Sequence, residues 1–136
     1  MESFIYTLYF DGCSKGNPGK AGAGYVIYKE NDEIAYKSVY VGDKETNNKA
    51  EYSGLYEGLL CALQNRIFTI HVKGDSNLVI KQMKGEYKVK SENIQTIYQN
   101  TKQLSTQFQH ITFEHVYRKD NKRADQLANL GLELSS

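Results

Sequence analysis

The sequence contains no tryptophan, a single proline and two cysteines, Cys13 and Cys61. Because the cysteines form no CxxC pair and are too few for a disulfide framework, a disulfide-stapled secreted domain is excluded. No run of about 18 apolar residues is present, so the sequence predicts no membrane-spanning helix. The N-terminal segment MESFIYTLYF has neither a basic region nor a small-residue cleavage site, as a secretory signal would. We therefore expect a cytoplasmic protein with free thiols and no membrane partner.

The charge of the chain is nearly balanced, with 17 Lys and Arg residues against 16 Asp and Glu residues. A net charge of +1 is far from the strongly basic balance of most nucleic-acid-binding domains. The sum does not exclude such a partner, because acidic residues gathered in one site would mask basic residues elsewhere. The 136 residues show no repeat or linker, so we expect one domain, residues 1–136, with a sizeable core.

Apolar periodicity predicts the element order βββαβααβα. Strands are expected at residues 4–10, 24–28, 34–41, 67–72 and 111–117, with a tight turn at 31–33. Helices are expected at residues 47–65, 77–84, 94–108 and 121–134. The helix between the third and fourth strands favours a crossover connection, and hence a mixed sheet covered by helices. The glycine-rich segment 11–24 between the first two strands is interpreted as a loop that lies against a ligand.

Four carboxylates occupy strand ends and helix starts. Asp11 follows the first predicted strand and Asp75 the fourth. If these strands are parallel neighbours, their ends lie about 5 Å apart, and ligands gather beyond the carboxyl ends of such strands. Glu51 lies near the start of the first helix and Asp125 in the first turn of the last. For either one alone the ordinary explanation is complementation of the helix dipole, worth about 0.3–1 kcal/mol.

Taken together, four acids at such positions would repel one another and raise one another's pKa values. A bound cation would relieve this repulsion. Hard oxygen ligands select Mg²⁺ or Mn²⁺. The sequence therefore predicts a divalent metal site.

Four motifs, in order along the chain, carry a family resemblance: DGCSKGNPGKAGAG, TNNKAE, GDS and NKRADQLA. With them the chain resembles a type 1 ribonuclease H, which cuts the RNA strand of RNA–DNA hybrids. The resemblance implies an α/β, ribonuclease H-like fold, with a five-stranded mixed sheet of order 3-2-1-4-5 flanked by helices. It also implies an endoribonuclease that leaves 5′-phosphate and 3′-hydroxyl ends. Its partner would be an RNA–DNA hybrid duplex.

The same resemblance assigns the carboxylates Asp11, Glu51, Asp75 and Asp125 as catalytic residues and metal ligands. Two Mg²⁺ ions, about 3.5–4 Å apart, would bind together with the substrate, and Mn²⁺ could substitute. Asp11 would bridge both ions, Asp75 and Glu51 would complete one coordination shell, and Asp125 the other. One ion would activate a water, and the other would stabilise the leaving 3′ oxygen.

Substrate contacts are also implied by the resemblance. The glycine segment would lie in the minor groove and reach the RNA 2′-hydroxyls, which distinguish RNA from DNA. Thr46 would help to hold a DNA phosphate. The other residues placed at the substrate are Gly12, Cys13, Asn17, Asn47, Asn48, Ser76 and Asn121. For Asn47 and Asn48 the alternative is helix capping, and one could cap while the other binds.

The sequence departs from the family pattern at two places. The loop YRKDNK, before the last aspartate, lacks the histidine of many members, and His115 falls inside a predicted strand, where a structural role is the ordinary one. Arg118 is the better candidate for a phosphate contact or assistance to product release, against the alternative of a solvated loop arginine. The stretch KQMKGEYKVKSEN replaces a basic helix-and-loop protrusion, so we expect a compact member with weaker, more salt-sensitive binding. RNA–RNA duplexes stay open as a second substrate.

Three alternatives are weighed against a monomeric, free-standing enzyme. A non-catalytic binding module would have lost at least one of the four acids, and all four are present. A fragment of a reverse transcriptase is disfavoured because the chain starts at Met1 and completes its own last helix. A metal-binding scaffold would leave the glycine segment and TNNKAE unexplained.

Overall fold

The computed structural model describes residues 3–134 and forms one five-stranded mixed sheet with helices on both faces. The strands are β1 (Tyr6–Lys15), β2 (Gly19–Lys29), β3 (Asp32–Glu45), β4 (Thr69–Gly74) and β5 (His110–His115). The helices are α1 (Asn47–Gln64), α2 (Asn77–Met83), α3 (Glu92–Ser105) and α4 (Lys122–Leu132), with a 3₁₀ turn at Arg118–Asp120. None of these helices is long and apolar enough to cross a membrane. The predicted α/β class and element order are confirmed.

The strand order is β3-β2-β1-β4-β5, as the resemblance implied. β1 pairs with β2 in antiparallel and with β4 in parallel register, and β4 pairs with β5 in parallel register. The parallel pairing of β1 with β4 ends at Phe10 opposite Gly74. Asp11 and Asp75 each follow directly, so both carboxylates leave the sheet at the same edge.

The main core lies between the sheet and α1, α2 and α3. Leu8 and Phe10 of β1 and Val72 of β4 are fully buried there against α1, and burial of such side chains contributes roughly 1.5–3 kcal/mol each. Tyr52 of α1 is also fully buried, and its hydroxyl donates a hydrogen bond of 2.6 Å to Gln82 Oε1 of α2. Helix α4 covers the opposite face, over β1, β2 and β3. It leaves that face open over β4 and β5.

The glycine segment is not a long loop, and this prediction is corrected. β1 continues to Lys15, β2 starts at Gly19, and only residues 16–18 form a turn. A Cβ atom at Gly12 would lie 2.2 Å from the backbone carbon of Ala50 in α1. A Cβ atom at Gly24 would lie 2.5 Å from Leu127 Cβ in α4. These glycines are strand residues that let helix backbones approach the sheet.

Other predicted boundaries shift for local reasons. Asp11 lies inside β1 and not beyond its end, because antiparallel pairing with β2 continues after the pairing with β4 has stopped. The second hairpin turn is Glu30–Asn31, one residue earlier than predicted, with Glu30 at a φ of 55°. β5 ends at His115 because the chain then enters the 3₁₀ turn.

We expect the substitution Gly24→Ala to lower the free energy of unfolding by about 1–3 kcal/mol or more, because the added methyl group overlaps the α4 backbone. Urea denaturation of the purified protein measures this change. Gly42→Ala in β3 is the matched control, because its new methyl group would meet only the flexible side chain of Glu45. Equal stability of the two variants would show that α4 does not lie this close to β2.

Candidate active site

Three carboxylates converge at the edge of the sheet. Asp11, Glu51 and Asp75 each place one carboxylate oxygen within 4.8 Å of the others. Asp11 comes from β1, Asp75 follows β4, and Glu51 projects from α1. The Gly12 position explains why Glu51 reaches this point, because a Cβ there would lie 2.3 Å from the Glu51 backbone nitrogen. A glycine next to Asp11 is therefore what allows the three acids to meet.

The environment of Asp11 and Glu51 favours their protonated forms. Asp11 is 5% exposed and Glu51 is 8% exposed. Burial is the largest cause that raises the pKa of Asp11, to about 7. A hydrogen bond with the Glu51 carboxyl lowers this pKa, and the charge of Asp75 raises it. The hydrogen bond of 2.9 Å that Asp11 accepts from the Gly12 amide limits this rise. Burial, and then the charge of Asp11, raises the pKa of Glu51 well above its usual range.

The cluster fits a divalent cation. Glu51 Oε2 is buried and has no hydrogen-bond partner within the described structure. A buried acceptor without a partner costs roughly 1–3 kcal/mol, which a metal ligand bond would remove. All three groups offer hard oxygen atoms, the donors that Mg²⁺ and Mn²⁺ prefer. The arrangement therefore can bind a cation that replaces the protons on Asp11 and Glu51.

Asp125 lines the same cavity but is not part of the tight three-carboxylate cluster. It lies in the first turn of α4, where the Arg118 Nη2 atom is 3.8 Å from its Oδ1 atom. The Arg118 side chain is 82% exposed, so the guanidinium keeps most of its donors available to a ligand. The cavity has a volume of about 440 Å³ and is lined by Asp11, Gly12, Cys13, Asn47, Glu51, Asp75, His115, Tyr117, Arg118 and Asp125.

Side-chain hydrogen bonds join the β1–β2 hairpin to the start of α1. Asn17 Oδ1 accepts a hydrogen bond of 2.9 Å from the Asn47 amide. Asn47 Oδ1 in turn accepts one of 2.7 Å from the Ser14 amide. The cap of α1 is Thr46, whose hydroxyl accepts from the Lys49 amide at 3.1 Å. Capping is therefore done by neither Asn47 nor Asn48, and Asn48 lies half-buried in the first turn.

Three further residues, Cys13, Ser76 and Asn121, were predicted at the substrate and have identifiable structural contacts. Cys13 lines the cavity, with its sulfur 3.9 Å from Asn129 Oδ1, and burial raises the pKa of its thiol. Ser76 caps α2 by accepting a hydrogen bond of 3.3 Å from the Val79 amide.

Asn121, the third residue of this group, is buried in the structure. Its side chain is 1% exposed, and its Nδ2 donates a hydrogen bond of 2.9 Å to the Phe10 carbonyl. This bond ties the start of α4 to β1 directly before Asp11. Asn121 therefore holds together the two elements that carry Asp11 and Asp125.

His115 and Tyr117 line the cavity although neither was predicted as a site residue. Their rings meet edge to face, with centroids 5.8 Å apart. His115 pairs with Gly74 in parallel register, so it ends β5 beside Asp75. The signal that could have found it is the one used for Asp11 and Asp75, a polar residue at the carboxyl end of a parallel strand.

Comparisons with known proteins agree with this geometry. A family model described as Reverse transcriptase-like matches residues 9–131. A bifunctional protein of Mycobacterium tuberculosis is 38% identical over 127 residues, which are 93% of this chain and 35% of that protein. Its N-terminal RNase H domain, solved as a fusion with maltose binding protein, superposes with a TM-score of 0.91 at 38% identity, covering 96% of this chain and 95% of that one.

A ribonuclease HI of Halobacterium salinarum is 36% identical over 125 residues, which are 92% of this chain and 63% of that protein. The crystal structure of RNase H1 from this archaeon gives a TM-score of 0.90 at 34% identity and covers 96% of this chain and 99% of that one. LC11-RNase H1, solved in complex with an RNA/DNA hybrid, gives 0.87 at 32% identity and covers 94% and 96%. The chain thus spans about a third of the first curated relative and under two thirds of the second.

We expect metal-free protein to lose stability between about pH 4 and pH 8 through this cluster. Asp11 binds its proton more tightly in the folded chain, so the folded chain holds more protons in this range and the free energy of unfolding falls as the pH rises. Asp11→Asn removes the charge and should raise the free energy of unfolding at pH 8 by roughly 1–3 kcal/mol.

Urea denaturation in EDTA at pH 5 and pH 8 measures this effect. Asp32→Asn, at an exposed acid on β3, is the matched control and should leave the pH dependence unchanged. A wild-type pH dependence identical to that of Asp11→Asn would contradict the buried, repelling cluster.

Proposed function

The chain belongs to the Reverse transcriptase-like family, with ribonuclease H domains among its relatives, and we propose that it is an endoribonuclease that hydrolyses the RNA strand of RNA–DNA hybrids. The observation that carries the proposal is the convergence of Asp11, Glu51 and Asp75 within 4.8 Å, with Asp125 on the same cavity. Fold alone would not distinguish an active nuclease from a binding module. A buried cluster of repelling acids costs stability, and metal-dependent catalysis accounts for it.

Asp11, Glu51 and Asp75 would hold a divalent cation, with Mg²⁺ as the proposed ion and Mn²⁺ as a substitute. Asp125 and the scissile phosphate would complete a second site once the substrate is bound. Such ions supply an activated water and stabilise charge on the leaving oxygen, so that the products carry 5′-phosphate and 3′-hydroxyl ends. The protein's own contribution is to fix the carboxylates in a partly closed pocket, with Asp11 in a strand and Glu51 in a helix.

The substrate surface runs from the hairpin tip to the start of α1. Asn17 accepts a hydrogen bond from the Asn47 backbone amide beside the catalytic cavity, and Thr46, the cap of α1, directly precedes Asn47. Asn offers both donors and an acceptor, which suits the 2′-hydroxyls of an RNA strand. The side-chain oxygens of Asn17 and Asn47 already accept hydrogen bonds within the protein, so these side chains are oriented before a duplex binds.

The basic surface that holds the duplex is proposed to be small. The segment between α2 and α3, residues 84–91, contains no helix in the described structure and carries Lys84, Lys88 and Lys90. Few phosphate contacts predict weak binding, with an affinity that falls less steeply with salt than the sequence alone suggested. We extend the proposal to a monomer that acts in the cytoplasm, with double-stranded RNA as a possible second substrate for the assay to test.

Arg118 is proposed to hold a phosphate oxygen at the mouth of the cavity. It is the cationic side chain next to Asp125, and its planar donors match a phosphate. The ion pair with Asp125 is long and exposed, so it contributes little to stability and can be exchanged for a substrate contact.

Cleavage of an end-labelled RNA–DNA hybrid tests the function directly. We expect the RNA strand to be cut with Mg²⁺ or Mn²⁺ and left intact in EDTA, with DNA–DNA uncut. Matched RNA–RNA duplex reports on specificity. Asp11→Asn should abolish cleavage and largely retain hybrid binding, since it removes a metal ligand without adding bulk. Turnover by this variant, or no cutting by the wild type with either metal, would overturn the assignment.

Arg118→Ala should lower turnover of the hybrid by roughly 10-fold or more, the cost of losing one charge-assisted contact of about 1.4 kcal/mol or more. Steady-state cleavage rates measure the effect. Lys119→Ala, at the neighbouring exposed cation on the same turn, is the control and should keep the rate on a blunt hybrid. An unchanged rate for Arg118→Ala would remove this residue from the mechanism.

A further inference from the structure

A second groove lies on the α4 face of the sheet, on the other side of the 3₁₀ turn from the catalytic cavity. Its volume is about 560 Å³, and it is formed by β1, β2, β4 and the start of α4. Within the turn, Arg118 lines the catalytic cavity, whereas Lys119 and Asp120 line the groove. Tyr9, Tyr28 and Lys73 lie on its sheet side, Lys119, Lys122 and Arg123 lie on the other side, and Glu30 and Asp120 are its two carboxylates.

Aromatic rings and a lysine form the sheet side of the groove. The rings of Tyr9 and Tyr28 meet edge to face, with centroids 5.8 Å apart and planes at 87°. Both side chains are only half-buried, so ring surface is available to a ligand. Lys73 pairs with Tyr9 in parallel register, and its Nζ lies 5.9 Å from the centre of the Tyr9 ring. Such a surface combines a stacking platform with a cation.

The opposite side of the groove is rich in positive charge. Lys119 and Lys122 are exposed and form no ion pair in the described structure. Arg123 is instead committed to Glu33, which it contacts at 2.9 Å and 3.1 Å, and it lies over Tyr36. Four cationic side chains and two carboxylates line the groove, and because Lys73 is paired with Glu114 and Arg123 with Glu33, Lys119 and Lys122 are the cations available to a ligand.

We propose that this groove binds an unpaired RNA strand that extends from the duplex held at the catalytic cavity. Rings that stack with bases, together with lysines that contact phosphates, are the means by which proteins hold single strands without reading sequence. The inference rests on the proposed ribonuclease function for the identity of the strand. The rings and lysines of the groove do not depend on that function.

The two sites are neighbours along β1, separated by the 3₁₀ turn and by Asn121, whose Nδ2 donates to the Phe10 carbonyl. Tyr9 and Asp11 are two residues apart on the same face of the strand, so their Cα atoms are about 7 Å apart. This is close to the spacing of successive phosphates, so a strand that crosses the turn can reach the tyrosines from the carboxylates within a few nucleotides. The side of the groove that carries Lys119 and Lys122 would then face the phosphates of the RNA strand.

Fluorescence anisotropy with a 5′-fluorescein octamer of uridine tests the proposal in EDTA, where metal-dependent cleavage is silent. We expect wild-type protein to bind the octamer and Tyr9→Leu to weaken binding at least about fivefold, the lower end of base-stacking effects. Lys119→Gln with Lys122→Gln should reduce the slope of log K against log salt by roughly 1.4, about 0.7 for each lost phosphate contact.

Lys37→Gln with Arg66→Gln is the charge-matched control, because both residues are exposed cations remote from the groove lining. This double variant should bind the octamer as wild type does. Melting curves check that Tyr9→Leu folds, and the lysine variant, altered only at exposed side chains, keeps the test decisive if it does not. Equal octamer affinity and salt slope in wild type and the lysine variant would overturn the proposal.

Hybrid cleavage separates this inference from the proposed function. Substrates are a blunt hybrid and the same hybrid with an eight-nucleotide unpaired RNA extension at either end. We expect the extension to lower the KM of the wild type, and the lysine variant to lose that gain while its rate on the blunt hybrid is unchanged. If neither hybrid is cut, the ribonuclease assignment fails, and the anisotropy result still decides whether the groove binds RNA.

Discussion

The β1–β2 hairpin lies with its backbone directly against two helices, α1 on one face and α4 on the other, and this contact sets the position of the carboxylates. Glycines make it possible: Gly12 meets the backbone of Ala50 and Glu51, and Gly24 meets Leu127 and Ala128. A side chain at either position would move a helix outward. Because Glu51 is carried by α1 and Asp125 by α4, such a movement would separate the acids from Asp11.

The same packing creates the electrostatic conflict at the site. Bringing α1 onto β1 buries Asp11 and Glu51 together, and their pKa values rise because water is excluded and like charges are close. In the absence of a cation the cluster weakens the fold at neutral pH. A divalent ion bound there would neutralise the repulsion among the carboxylates and would give Glu51 Oε2 the partner that it lacks. The same three side chains therefore lower the stability of the metal-free fold and favour the binding of a cation.

Residue periodicity was sufficient to predict the element order, because each helix and strand has a clear apolar face. It also placed Asp11 and Asp75 at strand ends, and the family resemblance implied the strand order that makes β1 and β4 neighbours. The strand ends of the hairpin could not be predicted in this way. Glycine usually marks a turn, and the reason for Gly12 and Gly24 is a contact with helices more than 30 residues away in sequence.

Side-chain roles were harder to predict because one polar residue type serves several purposes. Thr46 and Ser76 lie in family motifs, yet in the structure they cap α1 and α2. Asn121 is buried against Phe10, which depends on how α4 meets β1. His115 was missed because the predicted strand ran to residue 117, whereas β5 ends at His115 beside β4.

The most direct test of this account is anomalous diffraction from crystals grown with Mn²⁺. We predict a strong anomalous peak among the carboxylates of Asp11, Glu51 and Asp75, at about 2.0–2.2 Å from oxygen atoms. A manganese peak only at another position, or no peak among these carboxylates at saturating Mn²⁺, would contradict this prediction. In that case the three acids would be a strained feature of the fold and not a metal site.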